Sequence, residues 1–142
     1  MSIKYNVMIQ KEDTWYIAKC LDNSVASQGK TIEEALANLK EALELYYQNE
    51  EPKQPNNIFI TTLEVTIWVQ NILYLLPPRD IIKILYKFGF YKVSQKGSHV
   101  KFQNDFTNKI VIIPMHSEIA KGTLKSILEQ ADITIEEFLK QK

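Results

Sequence analysis

Alternating hydrophobic and polar residues predict a small antiparallel sheet at the start of the chain. IKYNVMI (3–9) and TWYIAKC (14–20) each alternate, and the polar QKED between them is typical of a hairpin turn. A short third strand is predicted near VASQG (25–29). Further on, IFITTLEVTIWV (58–69) predicts one more strand, because apolar residues with a period of two fall on one face: Phe59, Leu63, Val65, Ile67 and Val69.

The clearest helix is predicted after the hairpin, in TIEEALANLKEALELYY (31–47). Thr31 and Glu34 match the spacing of a capping box. Seven residues fall on one apolar helical face: Ile32, Ala35, Leu36, Leu39, Leu43, Tyr46 and Tyr47. Two prolines and several polar residues predict a loop over 48–57. The first half is therefore predicted to be a ββ(β)αβ unit that ends near residue 70.

A second small α+β unit is predicted after residue 70. PPRDIIKILYKFG (77–89) indicates a helix with proline in its first turn and Gly89 at its end. Alternation predicts three strands, FYKVSQK (90–96), HVKFQN (99–104) and KIVIIP (109–114). Two helices follow, in GTLKSILEQA (122–131) and in TIEEFLKQ (134–141), the latter with a capping box at Thr134 and Glu137. The order is αβββαα, with the helices expected on one face of the sheet.

Charge separates the two halves, although the chain as a whole is neutral. Residues 1–70 carry a net charge of −4 and residues 71–142 carry +4. Within residues 71–125 the net charge is +6, which is a plausible electrostatic footprint for nucleic acid. Opposite signs also favour attraction between the two halves or toward different partners.

Several classes of site and location are disfavoured by what the sequence contains. We find no glycine-rich phosphate loop, and the two histidines and the one cysteine lack zinc spacing, so no cofactor or metal is expected. The N-terminus does not resemble a signal peptide, and the most apolar stretch is shorter than the roughly 20 residues of a membrane span. A single cysteine, Cys20, suits a reducing compartment, so a cytoplasmic protein is expected.

The main candidate for chemistry is His99 in KGSHVKF (96–102). An imidazole is the usual proton-transfer group near neutral pH, and Lys96, Lys101 and Lys121 are candidates to hold phosphate. The competing interpretation is a partly exposed histidine on a strand face. His116 precedes a helix whose first amides could bind an anion, or it is a loop histidine bonded to backbone. From the residues alone, the second half is predicted to be a basic αβββα domain with RNA as a candidate ligand.

Four linked motifs in the second half resemble the HicA family of toxins. They are Gly89-Phe90, Gly97-Ser98-His99, Pro114-Met115-His116 and Gly122-Thr123-Leu124, and the resemblance covers about residues 72–135. It implies an endoribonuclease that cleaves mRNA, with a double-stranded-RNA-binding-like αβββα fold, and we predict that this cleavage is metal-independent. It also implies that His99 is catalytic. We add the prediction that RNA is bound by Lys96, Ser98, Lys101, His116 and Lys121. Many members carry a second histidine where this chain has Val100.

The first half resembles the partial ribonuclease-H-like domain of HicB antitoxins. YNVMIQKEDTWYIAKCLD (5–22) and SQGKTIEEALANLKEALELY (27–46) carry the resemblance. The chain departs from the family in LDNSVAS (21–27), which replaces a proline- and glycine-containing turn, and at Lys30, where aspartate is common. No DNA-binding helix-turn-helix or ribbon-helix-helix region is recognised after the last strand of this half, so regulation at a promoter is not expected.

Together these resemblances predict two α+β domains, an antitoxin-like domain over 1–70 and a toxin-like domain over 71–142. The first hypothesis is a self-inhibited endoribonuclease whose acidic half covers the RNA-binding surface, within one chain or between the chains of a homodimer. The alternatives are a non-catalytic RNA-binding or regulatory module, and a decoy antitoxin that binds a separate toxin.

Overall fold

The protein is described by a computed structural model that covers residues 1–65 and 76–142. Over these residues the structure is mixed α/β, with two three-stranded antiparallel sheets and four helices. The elements before the gap are β1 (Val7–Glu12), β2 (Trp15–Cys20), β3 (Ala26–Gly29) and α1 (Ile32–Tyr46). Those after it are α2 (Pro78–Lys87), β4 (Tyr91–Lys96), β5 (His99–Asn104), β6 (Lys109–Pro114), α3 (Lys121–Ala131) and α4 (Ile135–Lys140).

The N-terminal sheet has the order β1-β2-β3, so the predicted hairpin and the short third strand are confirmed. The hairpin turns at Asp13, whose φ of 53° lies in the left-handed region that Asn and Asp tolerate better than most residues. At the end of β3 the chain turns directly into α1. A Cβ on Gly29 would lie 2.7 Å from the backbone nitrogen of Ala35, so only glycine fits this close approach.

Helix α1 begins where the sequence predicts, but its buried face is rotated from the predicted one. Thr31 caps the helix by accepting a hydrogen bond from the Glu34 amide at 3.1 Å. The buried residues are Ala35, Leu39, Ala42 and Leu45. Ile32 and Leu36, which were predicted to face the core, are 42% and 41% exposed. The rotation follows from packing, because α1 contacts both its own sheet and strands β4 to β6 of the second half.

The strand predicted over 58–69 is wrong in the part that the structure describes. Residues 58–65 form no regular element, and the side chains of Phe59 and Leu63 are 95% and 85% exposed. An alternating pattern makes a strand only when a neighbouring backbone pairs with it, and no described strand does so here. Residues 66–69 lie outside the described residues, as does the domain boundary predicted near residue 71.

The second half has the predicted order of elements, with the sheet β4-β5-β6. Helix α2 has Pro78 in its first turn, and Gly89 after it has a φ of 90°. Helix α4 has the predicted capping box, in which Thr134 and Glu137 bond each other's backbone amides at 2.9 and 3.1 Å. One continuous apolar cluster joins this sheet to the helices, and its largest members include Leu85, Phe102, Ile113, Leu124 and Phe138.

The two faces of the second sheet have different neighbours. Alternate residues of a strand point to opposite faces, so Val100 and Phe102 of β5 enter the apolar cluster with the helices. His99 and Lys101 point the other way, and Ile112 of β6 on that side joins the apolar cluster of α1. The N-terminal half therefore covers the sheet face that carries His99. None of the described helices has the length and apolarity that a membrane crossing requires.

Candidate functional site

His99 is held at the start of β5 by a two-residue turn. Gly97 and Ser98 connect β4 to β5, and Lys96 pairs directly with His99. Gly97 has a φ of 52°, a backbone conformation that glycine adopts without strain. On the other side His99 pairs with Pro114 at the end of β6. The imidazole is therefore fixed by strands on both sides of β5.

The imidazole of His99 is fully buried and contacts three polar side chains. Its Nε2 lies 2.7 Å from Ser27 Oγ, and its Nδ1 lies 3.4 Å from Ser98 Oγ and 3.7 Å from Glu41 Oε1. Burial lowers the pKa of His99, although the Glu41 carboxylate opposes part of that effect. The alternative of a partly exposed strand histidine is wrong, since the side chain has no exposed area.

Helix α1 also engages the residues around His99. Glu41 Oε1 accepts a hydrogen bond from the Ser98 amide at 3.1 Å, and Glu44 pairs with Lys96 at 2.8 Å. Lys101 is buried and donates to the carbonyl of Tyr46 at 3.4 Å. A cation at this position is favourable, because the carbonyl groups at the C-terminal end of a helix carry partial negative charge. The last turn of α1 contains no basic residue of its own. Ser98, Lys96 and Lys101 therefore all have partners in the N-terminal half.

His116 lies two residues beyond β6 and packs against the other half of the chain. Its ring centroid is 5.4 Å from that of Trp15, and Lys30 Nζ stands 3.5 Å from the Trp15 centroid. Within the described part of the chain His116 Nε2 is buried without a hydrogen-bond partner. Burial lowers the pKa of this imidazole as well.

Lys121 is the first residue of α3, and the amides around it are engaged by the N-terminal half. The Gly122 amide donates to Glu12 Oε1 at 3.1 Å, a favourable place for a negative charge because it is a helix N-terminus. The Gln28 side chain accepts from the Ala120 amide and donates to the Glu118 carbonyl, both at 3.0 Å. The amides of Ala120 and Gly122, at the start of α3, are thus bound to side chains of the N-terminal half.

Sequence reasoning missed the partners that the N-terminal half supplies: Glu12, Trp15, Ser27, Gln28 and Glu41. Two signals pointed to some of them. Ser27 and Gln28 are polar residues within the short strand predicted near residues 25–29. Glu41 and Glu44 are three residues apart on one helix, opposite a basic domain. Which residue meets which partner depends on the docking of the two halves.

We expect docking of the two halves to weaken in acid. Burial lowers the pKa of His99 and His116 in the docked chain, and separation returns each to an ordinary pKa near 6.5. Below that pH the separated state binds more protons, so its population rises. Stability should be constant above about pH 6.5 and fall as the pH drops through 6.5 toward the lowered values. Melting temperatures over this range would measure it, and a smaller fall is expected in His99→Gln.

Comparison with known families divides the chain in the same way as the two sheets. Residues 4–67 match a family of unknown function, DUF7387, so the HicB-type antitoxin is not confirmed and stays a proposal. No curated protein matches the chain. In the described ranges no group of His, Cys, Asp or Glu side chains could hold a metal ion. Residues 78–133 match the HicA toxin of bacterial toxin–antitoxin systems, and the chain therefore carries a HicA toxin domain over these residues.

Proposed function

We propose that the protein is a latent endoribonuclease in which the N-terminal half acts as a tethered antitoxin. The HicA match supports a toxin with ribonuclease activity, and its family acts on mRNA. The observation that carries the proposal is the complete burial of His99 against Ser27 and Glu41 of the same chain. A reactive imidazole without solvent access cannot meet RNA until the two halves separate.

The chemistry that we assign to His99 is proton transfer during cleavage of the RNA backbone. A neutral imidazole can take the proton of the attacking 2′-hydroxyl, and an imidazolium can protonate the leaving oxygen. In the docked chain Ser27 occupies the Nε2 side of the ring, and Glu41 and Ser98 lie on the Nδ1 side. Neither ring nitrogen is then available to a substrate.

The N-terminal half also occupies groups that we assign to phosphate binding. The carboxylates of Glu41 and Glu12 accept from the amides of Ser98 and Gly122, and Glu44 pairs with Lys96. A carboxylate and a phosphate are both anionic acceptors for such donors, so they compete for the same positions. Inhibition would therefore act on RNA binding as well as on proton transfer.

The toxin domain has a core of its own, which supports its activity once the halves separate. Its apolar cluster runs from Leu76 to Phe138 and includes none of the described residues 1–65. The apolar contacts that the two halves share lie outside this cluster: Ile112 packs with the cluster of α1, and Ala120 packs with Trp15, Ile17 and Ala26. The fold of residues 76–142 is therefore expected to persist when α1 leaves the sheet.

Two substitutions on α1 of the full chain test whether contacts of this helix keep the site closed. Glu41→Arg removes a charge-assisted hydrogen bond to Ser98, worth about 1.5–3 kcal/mol, so the open fraction and RNA cleavage should rise roughly 10- to 100-fold. Glu44→Arg removes a pair with Lys96 in which both side chains are 49% exposed. Such a pair contributes less than about 1 kcal/mol, and cleavage should rise less than about fivefold.

The comparison is matched, because both variants make the same charge change three residues apart on one helix. RNA cleavage by the purified full chains is the measurement, with circular dichroism to show that both variants remain folded. Equal cleavage by Glu41→Arg and the unchanged chain would mean that Glu41 does not hold the site closed.

A further inference from the structure

The segment IFITTLEV, residues 58–65, is apolar and exposed. Phe59 is 95% exposed, Ile60 73%, Leu63 85% and Val65 60%. Soluble monomers rarely expose so many large apolar side chains in one continuous stretch. The segment also alternates with the period of a strand, yet no described strand pairs with it. It is a strand-forming sequence without a strand partner in the described structure.

The N-terminal sheet has an open edge that could receive a strand. In the order β1-β2-β3, the β3 side contacts β6 and α3 of the toxin domain. Among the described residues no strand pairs with the outer edge of β1. An open edge presents unpaired amides and carbonyls, and it is a ready template for another strand.

An apolar groove lies next to the start of β1. Its volume is about 550 Å³, and it runs between the N-terminal residues and α1. Ile3, Tyr5, Val7, Leu36 and Leu43 are among the residues that line it. Leu36 was predicted to face the core of this half, but it remains 41% exposed at the groove. The helix therefore keeps an apolar surface that its own sheet does not cover.

We propose that residues 58–65 of one copy add a strand to the β1 edge of a second copy and cover its groove. In one chain the start of the segment is held beside β1, since Asn6 Nδ2 donates to the Asn56 carbonyl at 3.2 Å. The apolar residues that follow nevertheless stay exposed, and so does the groove. If each copy adds its segment to the other, the exposed segment and the groove are covered in both copies. This two-fold arrangement is the geometry of the commonest homodimers.

The charges around the groove favour this occupant. Glu64 is the only charged residue of the segment. Lys40 lines the groove and Lys4 lies beside the start of the segment. The groove's own carboxylate, Glu44, is already paired with Lys96 at 2.8 Å. A segment with one negative charge therefore meets a surface with lysines available to attract it.

The oligomeric state of the full chain tests this proposal independently of any ribonuclease activity. Light scattering should give twice the chain mass of 16.5 kDa, and Phe59→Asp should return the mass to one chain. Phe106→Asp is the matched control, because Phe106 is also 95% exposed but lies in the β5–β6 turn. The Phe106→Asp variant should remain a dimer. A monomeric unchanged chain, or a dimer that survives Phe59→Asp, would overturn the proposal.

Cross-linking distinguishes exchange between copies from folding within one chain. Leu36→Cys and Leu63→Cys place thiols in the groove and in the segment, both at exposed positions, whereas the native Cys20 is fully buried. A short bis-maleimide should join a tagged Leu36→Cys chain to a differently tagged Leu63→Cys chain. In a chain with both substitutions, a cross-link within the chain instead of between chains would overturn the exchange. The absence of any cross-link would also overturn the exchange.

Discussion

Residues 71–142 expressed without the N-terminal half should cleave RNA about 1,000-fold faster than the full chain. A short tether gives an effective concentration on the order of millimolar, so even a micromolar docking affinity keeps the site closed about 99.9% of the time. The contacts that maintain closure are those of Ser27 and Glu41 with the His99 region, together with Glu12 at the start of α3. The rate ratio in a purified RNA cleavage assay is the measurement.

The same comparison can be made in cells, where the isolated second half should slow growth and the full chain should be harmless. Residues 1–70 supplied as a separate chain should restore growth, and residues 1–70 with Glu41→Arg should restore it less well. If the full chain degrades RNA as fast as its second half, the inhibition model is wrong. If neither chain degrades RNA but residues 1–70 neutralise a different toxin, the decoy alternative is favoured.

His99→Ala in residues 71–142 should lower the cleavage rate by about 10²- to 10⁴-fold, the usual loss when a positioned acid or base is removed. The domain should remain folded, because His99 points away from the apolar cluster that includes Val100 and Phe102. EDTA should leave the rate unchanged if cleavage needs no divalent metal. Single-turnover rates and circular dichroism provide the two measurements.

His116→Ala is the comparison for this variant, since it removes the other histidine of the chain. We expect weaker RNA binding with a smaller change in the single-turnover rate, because His116 is proposed to contact RNA and not to transfer the proton. Full activity in His99→Ala would remove His99 from the mechanism, and loss of activity in EDTA would remove the metal-free claim. RNA binding without cleavage by unchanged residues 71–142 would favour the non-catalytic RNA-binding module.

The local pattern predicted most of the described elements correctly. Capping by Thr31 and Thr134, the left-handed Gly89 just after α2 and the alternation in β5 and β6 depend on neighbours within a few residues, so sequence reasoning finds them. The rotated face of α1 was missed for the opposite reason. Ala42 and Leu45 are buried while Ile32 and Leu36 stay exposed, and this choice depends on contacts with the second half, such as that of Ile112.

His99 shows where sequence reasoning about the site ends. Its motif and its basic neighbours are visible in the chain, and they are enough to propose proton transfer next to phosphate. Its burial, the hydrogen bond with Ser27 and the carboxylate of Glu41 arise from residues 72 and 58 positions away. No short-range pattern connects positions so far apart.

By itself, the sequence determined that this protein has a HicA-like motif set on a basic αβββα unit, preceded by an acidic unit with a hairpin and an amphipathic helix. Only the tertiary structure decided that α1 lies on the open face of the second sheet, that Lys101 is buried at the end of that helix, and that residues 58–65 remain uncovered. The physical reason is that helix and strand formation depend on nearby residues. Docking depends on surfaces assembled from distant parts of the chain.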